Sequence, residues 1–119
     1  MSAAHHRAHN LIAIVDRNGF QLDGRVDEVM GIEPLADKWR AFNWEVHEVD
    51  GHDVPALATL LRRISRDTSR ERPVCVIART TKGKGISYME TEPGWHLGYL
   101  APEDEELAAA ELKSAWRSS

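Results

Sequence analysis

One cysteine, Cys75, stands among 119 residues, so no disulfide can form within the chain. It lies in an apolar run, and a buried, inert thiol is expected there. No apolar run approaches the roughly 20 residues that a bilayer-spanning helix needs. The amino end lacks a charged-then-apolar leader, so a cytoplasmic protein without membrane contact is expected. A basic excess is missing too. The 15 Lys and Arg against 19 Asp and Glu leave a formal net charge of -4, which speaks against a general binder of nucleic acid or of membrane surfaces. A chain of this size makes one domain or part of one, with a modest core.

What is present is organised around Asn10 to Phe20, where the apolar run Leu11 to Val15 ends abruptly in Asp16-Arg17-Asn18-Gly19. Such a run suits a strand buried on both faces of a parallel sheet. Ligands of open α/β sheets gather beyond the carboxyl ends of their strands, where Asn18 stands. Its amide oxygen is a hard, neutral ligand, and Gly19 lets a following main-chain carbonyl turn toward the same point, a donor type that suits Mg²⁺. The same residues also read as a strand followed by an Asn-Gly turn with no ligand. Residues alone leave both readings open.

Before this strand, Met1 to His9 has helix-forming residues over barely two turns, too few to be stable in isolation. His5, His6 and His9 lack an acidic or cysteine partner nearby and make a poor metal cluster. After it, residues 21–25 read as a loop closed by Asp23-Gly24, and Val26 to Ile32 has no clear period. Pro34 is expected at the first position of a helix whose buried face is Leu35, Trp39 and Phe42, ended by Asn43. Trp44 to Val49 reads as a second strand. Asp53 is a natural N-cap for a helix over Val54 to Arg66, with Val54, Leu57, Leu60, Leu61 and Ile64 as its stripe and arginines at its carboxyl end. His52 reads either as a site residue at a strand end or as a solvated loop histidine.

Pro73 to Ala78 is a third strand of the fully buried kind. The Lys82-Gly83-Lys84-Gly85 turn beyond it suits either a phosphate, through amides and ammonium groups, or a plain basic turn. Ile86 to Leu100, containing Gly94-Trp95-His96, has no regular period. Pro102 is expected to start a last helix with Ala108, Leu112, Ala115 and Trp116 as its apolar face. Strands alternating with helices predict an α/β fold: a partial parallel sheet of about three strands with flanking helices. So few strands leave an open edge and an uncovered face, which implies completion by another polypeptide.

Four patterns then stand in order: Val15 to Gly24, Glu33-Pro34-Leu35-Ala36-Asp37-Lys38-Trp39, Val49-Asp50-Gly51-His52-Asp53, and Thr81 to Gly85 with Gly94-Trp95-His96 beyond. Together they resemble the thiamine-diphosphate-binding domain of transketolases, most closely the amino-terminal subunit of the split bacterial and archaeal type. The resemblance covers almost the whole chain. Each motif alone is weak; all four in sequence are specific. The resemblance implies that Asn18 binds Mg²⁺ through its side chain and Phe20 through its main-chain carbonyl. It further implies that His96 reaches the diphosphate and the substrate near the reacting carbon, as a catalytic residue.

The family's motif opens with Gly-Asp-Gly, whose aspartate is the anionic metal ligand, and that triplet occurs nowhere in this chain. The pyrimidine-binding domain with its activating glutamate is absent as well. The expectation is therefore that residues 1–119 are the carboxyl-terminal part of a thiamine-diphosphate-binding domain. One or more partner chains would carry Gly-Asp-Gly and the pyrimidine-binding domain. The implied reaction moves a two-carbon ketol unit from a ketose to an aldehyde, with a small sugar-like substrate. A non-catalytic or regulatory subunit of an intact homologue, or a related enzyme using a keto-acid donor, is the alternative.

Overall fold

The structure, a computed structural model, describes every residue but Asp23, Thr91, Ser118 and Ser119, together with all described side chains but that of Pro93. The elements in chain order are α1 (Ser2–His5), β1 (Ile12–Arg17), β2 (Phe20–Gln21), β3 (Gly24–Arg25), α2 (Val26–Val29) and α3 (Leu35–Ala41). Next come β4 (Glu45–Asp50), α4 (Val54–Arg66), β5 (Val74–Arg79), α5 (Ser87–Glu90), a 3₁₀ turn (Pro93–Leu97) and α6 (Pro102–Arg117). No helix among the described residues is long and apolar enough to cross a membrane. The chain divides into two compact units, one of Met1–Asn18 with Ile32–Thr80, the other of Gly19–Gly31 with the chain from Thr81 onward.

The first unit is the predicted α/β layer. Its three strands are all parallel in the order β1-β5-β4, with Ile14 opposite Val76 and Val49 opposite Ala78. The uninterrupted apolar run of β5 takes the centre, where both faces need covering, and Val74 to Ile77 are at most 1% exposed. On one face Cys75, Ile77 and Trp44 pack with Ala3 and Ala4 of α1 and with Leu35, Ala36 and Trp39 of α3. Trp39 and Trp44 meet edge to face at 4.8 Å. On the other face Val74, Val76 and Ile64 pack with Ile12, Val49 and the α4 leucines 57, 60 and 61. Each fully buried aliphatic side chain contributes about 1.5–3 kcal/mol here.

Helix α4 begins where its sequence says, with Asp53 Oδ1 accepting from the Ala56 amide at 2.9 Å. Its stripe is shorter than expected, since Val54 is exposed in the first turn. The start of α3 also differs from expectation. Pro34 precedes the helix as its N-cap, in an extended conformation, instead of opening it, and the Glu33 carboxylate accepts from the Leu35 amide at 3.0 Å. Phe42 falls just beyond the last turn and is exposed, so Leu35 and Trp39 carry the buried face without it. Asn43 does end the segment, in a left-handed conformation with φ of 68°.

The second unit has little sheet. The loop expected over residues 21–25 is instead spanned by a minimal antiparallel hairpin pairing Phe20 with Arg25 and Gln21 with Gly24, though Asp23 lies outside the described residues. Gly19, at φ +78°, starts it, and its carbonyl accepts from the Val26 amide at 3.0 Å as α2 begins. The unpatterned stretch Ile86 to Leu100 holds α5 and the 3₁₀ turn, each too short to show a hydrophobic period. Helix α6 does start at Pro102 with Glu103, Asp104 and Glu105 in its first turn. Of its expected apolar face only Ala108 is buried; Leu112, Ala115 and Trp116 are exposed.

Candidate functional site

The carboxyl ends of the three parallel strands are tied together in the first unit. The Thr80 hydroxyl, just past β5, donates to the Asp16 carboxylate near the end of β1. Just past β4, the Gly51 amide donates to the Arg79 carbonyl at 2.7 Å. A Cβ on Gly51 would sit 2.5 Å from Thr80 Cγ2 and 3.1 Å from Ala78 Cβ, so only glycine permits this approach. Asp50 Oδ1 accepts from the His52 amide at 2.9 Å and turns the chain toward Asp53 and α4. The Asp50-Gly51-His52-Asp53 motif is thus a strand-to-helix corner, and His52 lies in it as an exposed loop residue. No sequence pattern points to the Asp16–Thr80 tie, because 64 residues separate its partners.

Asn18 follows β1 at this end of the sheet and is partly buried. One residue earlier, Arg17 Nε donates to Glu33 Oε1 at 2.7 Å, while Arg40 pairs with Asp37 at 2.8 Å. These groups line a hollow of about 270 Å³ with Glu48. The Leu35 amide and the Arg17 guanidinium hold the Glu33 carboxyl below its ordinary 4.5. Both arginines are therefore neutralised within the hollow. It holds the end of β1 beside the start of α3 rather than offering a free cation to an anion.

In the second unit Phe20 is partly buried on β2, with Lys82 Nζ 5.9 Å from its ring centroid. The Lys82-Gly83-Lys84-Gly85 turn owes its glycines to geometry. Gly83 at φ +73° and Gly85 at φ +96° are left-handed, and a Cβ on Gly83 would stand 2.5 Å from Met89 Cβ. Glu90 answers the turn's charge, accepting from the Gly85 amide at 2.9 Å with Lys84 Nζ at 3.5 Å. The turn is explained without a phosphate.

His96 lies on the 3₁₀ turn and is exposed. Its neighbour Trp95 anchors that turn, packed on Tyr88 with ring centroids 5.2 Å apart. Gly98 faces the indole so closely that a Cβ there would be 2.4 Å from Trp95 Cε3. The Tyr88 hydroxyl donates to the Asp104 carbonyl at 2.9 Å, and the Ser87 amide and hydroxyl donate to Glu111 at 2.7 and 2.6 Å. These bonds hold α5 on α6 and give Trp95 its platform. An exposed histidine next to a fixed tryptophan can meet a ligand arriving from solvent.

Among the described residues no three His, Cys, Asp or Glu side chains gather to hold a metal ion. The Asn18 amide and the Phe20 carbonyl are neutral oxygens. Mg²⁺ carrying a diphosphate takes carboxylate ligands as well, and the nearby Asp16 carboxylate is engaged by Thr80. In chemistry, neutral oxygens of this kind can serve as part of a Mg²⁺ donor set but do not supply its carboxylates.

A parallel three-stranded layer with helices on both faces defines the class: an open-sheet α/β domain. Residues 1–118 match the family described as transketolase, thiamine diphosphate binding domain, and the chain belongs to that family. It is 41% identical over 113 residues to an apulose-4-phosphate transketolase subunit of Actinobacillus succinogenes. To the subunit of the same name from Phocaeicola vulgatus it is 39% identical over 112 residues. These alignments take in 95% and 94% of this chain but only 40% and 39% of the two relatives. Among solved structures, the transketolase of Campylobacter jejuni superposes with a TM-score of 0.82 at 26% identity, over 94% of this chain and 17% of that one.

Proposed function

We propose that this chain is one piece of a transketolase-like enzyme that uses thiamine diphosphate and Mg²⁺ and is divided among polypeptides. The observation that carries the reading is that nearly all of this chain aligns, at 41% and 39% identity, with relatives named as one subunit of a transketolase. Residues 1–119 then form the carboxyl-terminal part of the cofactor-binding domain, and separate chains contribute Gly-Asp-Gly and the pyrimidine-binding domain. Apulose 4-phosphate, for which the relatives are named, is a sugar phosphate, which favours a ketose donor over a keto acid.

When bound, thiamine diphosphate supplies the carbanion chemistry by which a two-carbon ketol unit passes from a ketose to an aldehyde. This chain's own part is to bind and orient. Asn18 offers its side-chain oxygen and Phe20 its main-chain carbonyl to the metal. Exposed His96, steadied by Trp95, hydrogen-bonds charge developing on a substrate oxygen or moves a proton there near neutral pH.

Coexpression with chains that carry Gly-Asp-Gly and the pyrimidine-binding domain tests the reading, with thiamine diphosphate binding followed by calorimetry. The complex is expected to bind the cofactor far more tightly than the isolated chain. No gain over the chain alone rejects the divided enzyme. In an active complex, Asn18→Ala and His96→Ala are each expected to lower turnover about a hundredfold or more. Unchanged turnover in both would assign a non-catalytic role, and activity with pyruvate but not with ketoses would assign a keto-acid enzyme.

A further inference from the structure

Side chains alternate along each strand of the first unit, and the packing shows which set meets α4. Val74, Val76, Ile12 and Val49 pack with α4, whereas Cys75, Ile77 and Val15 pack on the other side. Val49, Ala78 and Asp16 continue the α4 set as register partners in one row near the carboxyl ends. The next row falls just past the strands. Main-chain bonds carry the pairing into it, from the Thr80 amide to the Arg17 carbonyl at 3.3 Å and from the Gly51 amide to the Arg79 carbonyl at 2.7 Å. Continued by this one step, the register places Thr80 between Gly51 and Asn18.

Both branches of the Thr80 side chain are used. Its methyl group fills the space in front of Gly51, where a Cβ would come within 2.5 Å of Cγ2, and its hydroxyl donates to Asp16 Oδ1 one row back. Serine would lack the methyl and valine the donor. The tie is not needed to join the strand ends, since the main-chain bonds already do so. Nor does it rescue a buried charge. Asp16 is exposed, and water would solvate its carboxylate as well. What the bond decides is where the carboxylate stands: it fixes a negative group two residues before Asn18 and occupies only one of its two oxygens.

Resting on the divided-enzyme reading, we infer that Thr80 and Asp16 are positioning residues for metal binding at Asn18. Neither ligates the cation. Thr80 orients the Asp16 carboxylate, and the oriented carboxylate steadies the end of β1 and sets a fixed negative charge beside the neutral Asn18 oxygen. A hard divalent cation held through a neutral oxygen gains from an anion fixed close by. Groups that orient the surroundings of a metal in this way change its affinity by about 10–100-fold when removed.

The coexpressed complex with the chains carrying Gly-Asp-Gly and the pyrimidine-binding domain tests this with Mn²⁺, which suits the same oxygen ligands as Mg²⁺. Free Mn²⁺ is followed by electron paramagnetic resonance in the presence of thiamine diphosphate. Thr80→Val is expected to raise the Mn²⁺ dissociation constant about tenfold or more, and Thr80→Ser to stay within about threefold of the parent. Urea unfolding of the full chain is expected to run the other way. Valine keeps the methyl packed against Gly51 and serine loses it, so Thr80→Ser should have the lower midpoint. Both measurements falling in one order would mark a merely structural tie and overturn the inference. Parent-like Mn²⁺ affinity in Thr80→Val, or a Thr80→Ser complex as weak as Thr80→Val, also overturns it, even where the parent complex binds cofactor and metal and the divided-enzyme reading holds. A parent complex that binds neither overturns both.

Discussion

Ile14 and Val76 sit opposite one another on neighbouring strands, yet Ile14 is 55% exposed and Val76 is fully buried. Their strands are written in nearly the same letters, Ile12-Ala13-Ile14-Val15 against Val74-Cys75-Val76-Ile77. The difference lies in position. β5 has a strand on each side, α1 and α3 over one face and α4 over the other. β1 has a neighbour on one side only, and α4 does not extend over Ile14. The same composition is left half-exposed at an edge and becomes a satisfied core at the centre.

The sharpest way to probe this contrast is thiol labelling. Burial pushes the Cys75 thiol up to about 11, and it is fully buried. In native buffer at pH 8, a cysteine placed by Ile14→Cys in a Cys75→Ala background should react about a thousandfold faster than Cys75, which is reached only through rare opening. Equal rates would mean that β5 is not the closed centre.

Next in size is the loss on truncation. Ile77→Ala, at a site 1% exposed beside Trp44 and Cys75, should lower unfolding free energy by about 2–5 kcal/mol in urea titration. Ile14→Ala should change the isolated chain by less than about 0.5 kcal/mol. A comparable loss at both sites would erase the distinction between centre and edge.

Asp53→Ala removes the acceptor of the Ala56 amide and should cost about 1 kcal/mol, with Asp53→Asn recovering most of it. Since α4 packs on Val74 and Val76, the loss should appear as faster amide exchange in β5. The smallest effect is in acid. Glu33 has a depressed pKa in the folded chain, so its contribution is present above its ordinary 4.5 and is lost as pH falls below that value through the folded one. Glu33→Gln should therefore flatten the change in urea midpoint between pH 6 and pH 3. An unchanged slope would detach the Arg17–Glu33 pair from the end of β1.

Legibility followed the length of each pattern. α4 was readable to the residue, because a 13-residue period, a capping aspartate and a load of arginines agree. β5 was readable from its unbroken run. The hairpin of β2 and β3, with two residues in each strand, and the four-residue α2 and α5 show no period at that length. Phe42 and Trp116 were expected inside because their spacing fits a helix face. Spacing says which residues share a face, not whether anything packs on it. Of the candidate site, Asn18 and the Asp50 to Asp53 corner were visible as local motifs. The Asp16–Thr80 tie, the fit of Gly51 against Thr80 and the Trp95–Tyr88 platform under His96 join residues distant in the chain or depend on close approach, and no local pattern announces them.

By itself the sequence determined the family, the alternation of strands and helices, and the residue types waiting at the strand ends, since these rest on local spacing and composition. Only the tertiary structure decided that β5 lies between β1 and β4, which apolar strand is covered, and which strands form the edges. Strand order is set by crossover direction and by the burial of whole faces, and both are properties of elements brought together across the chain.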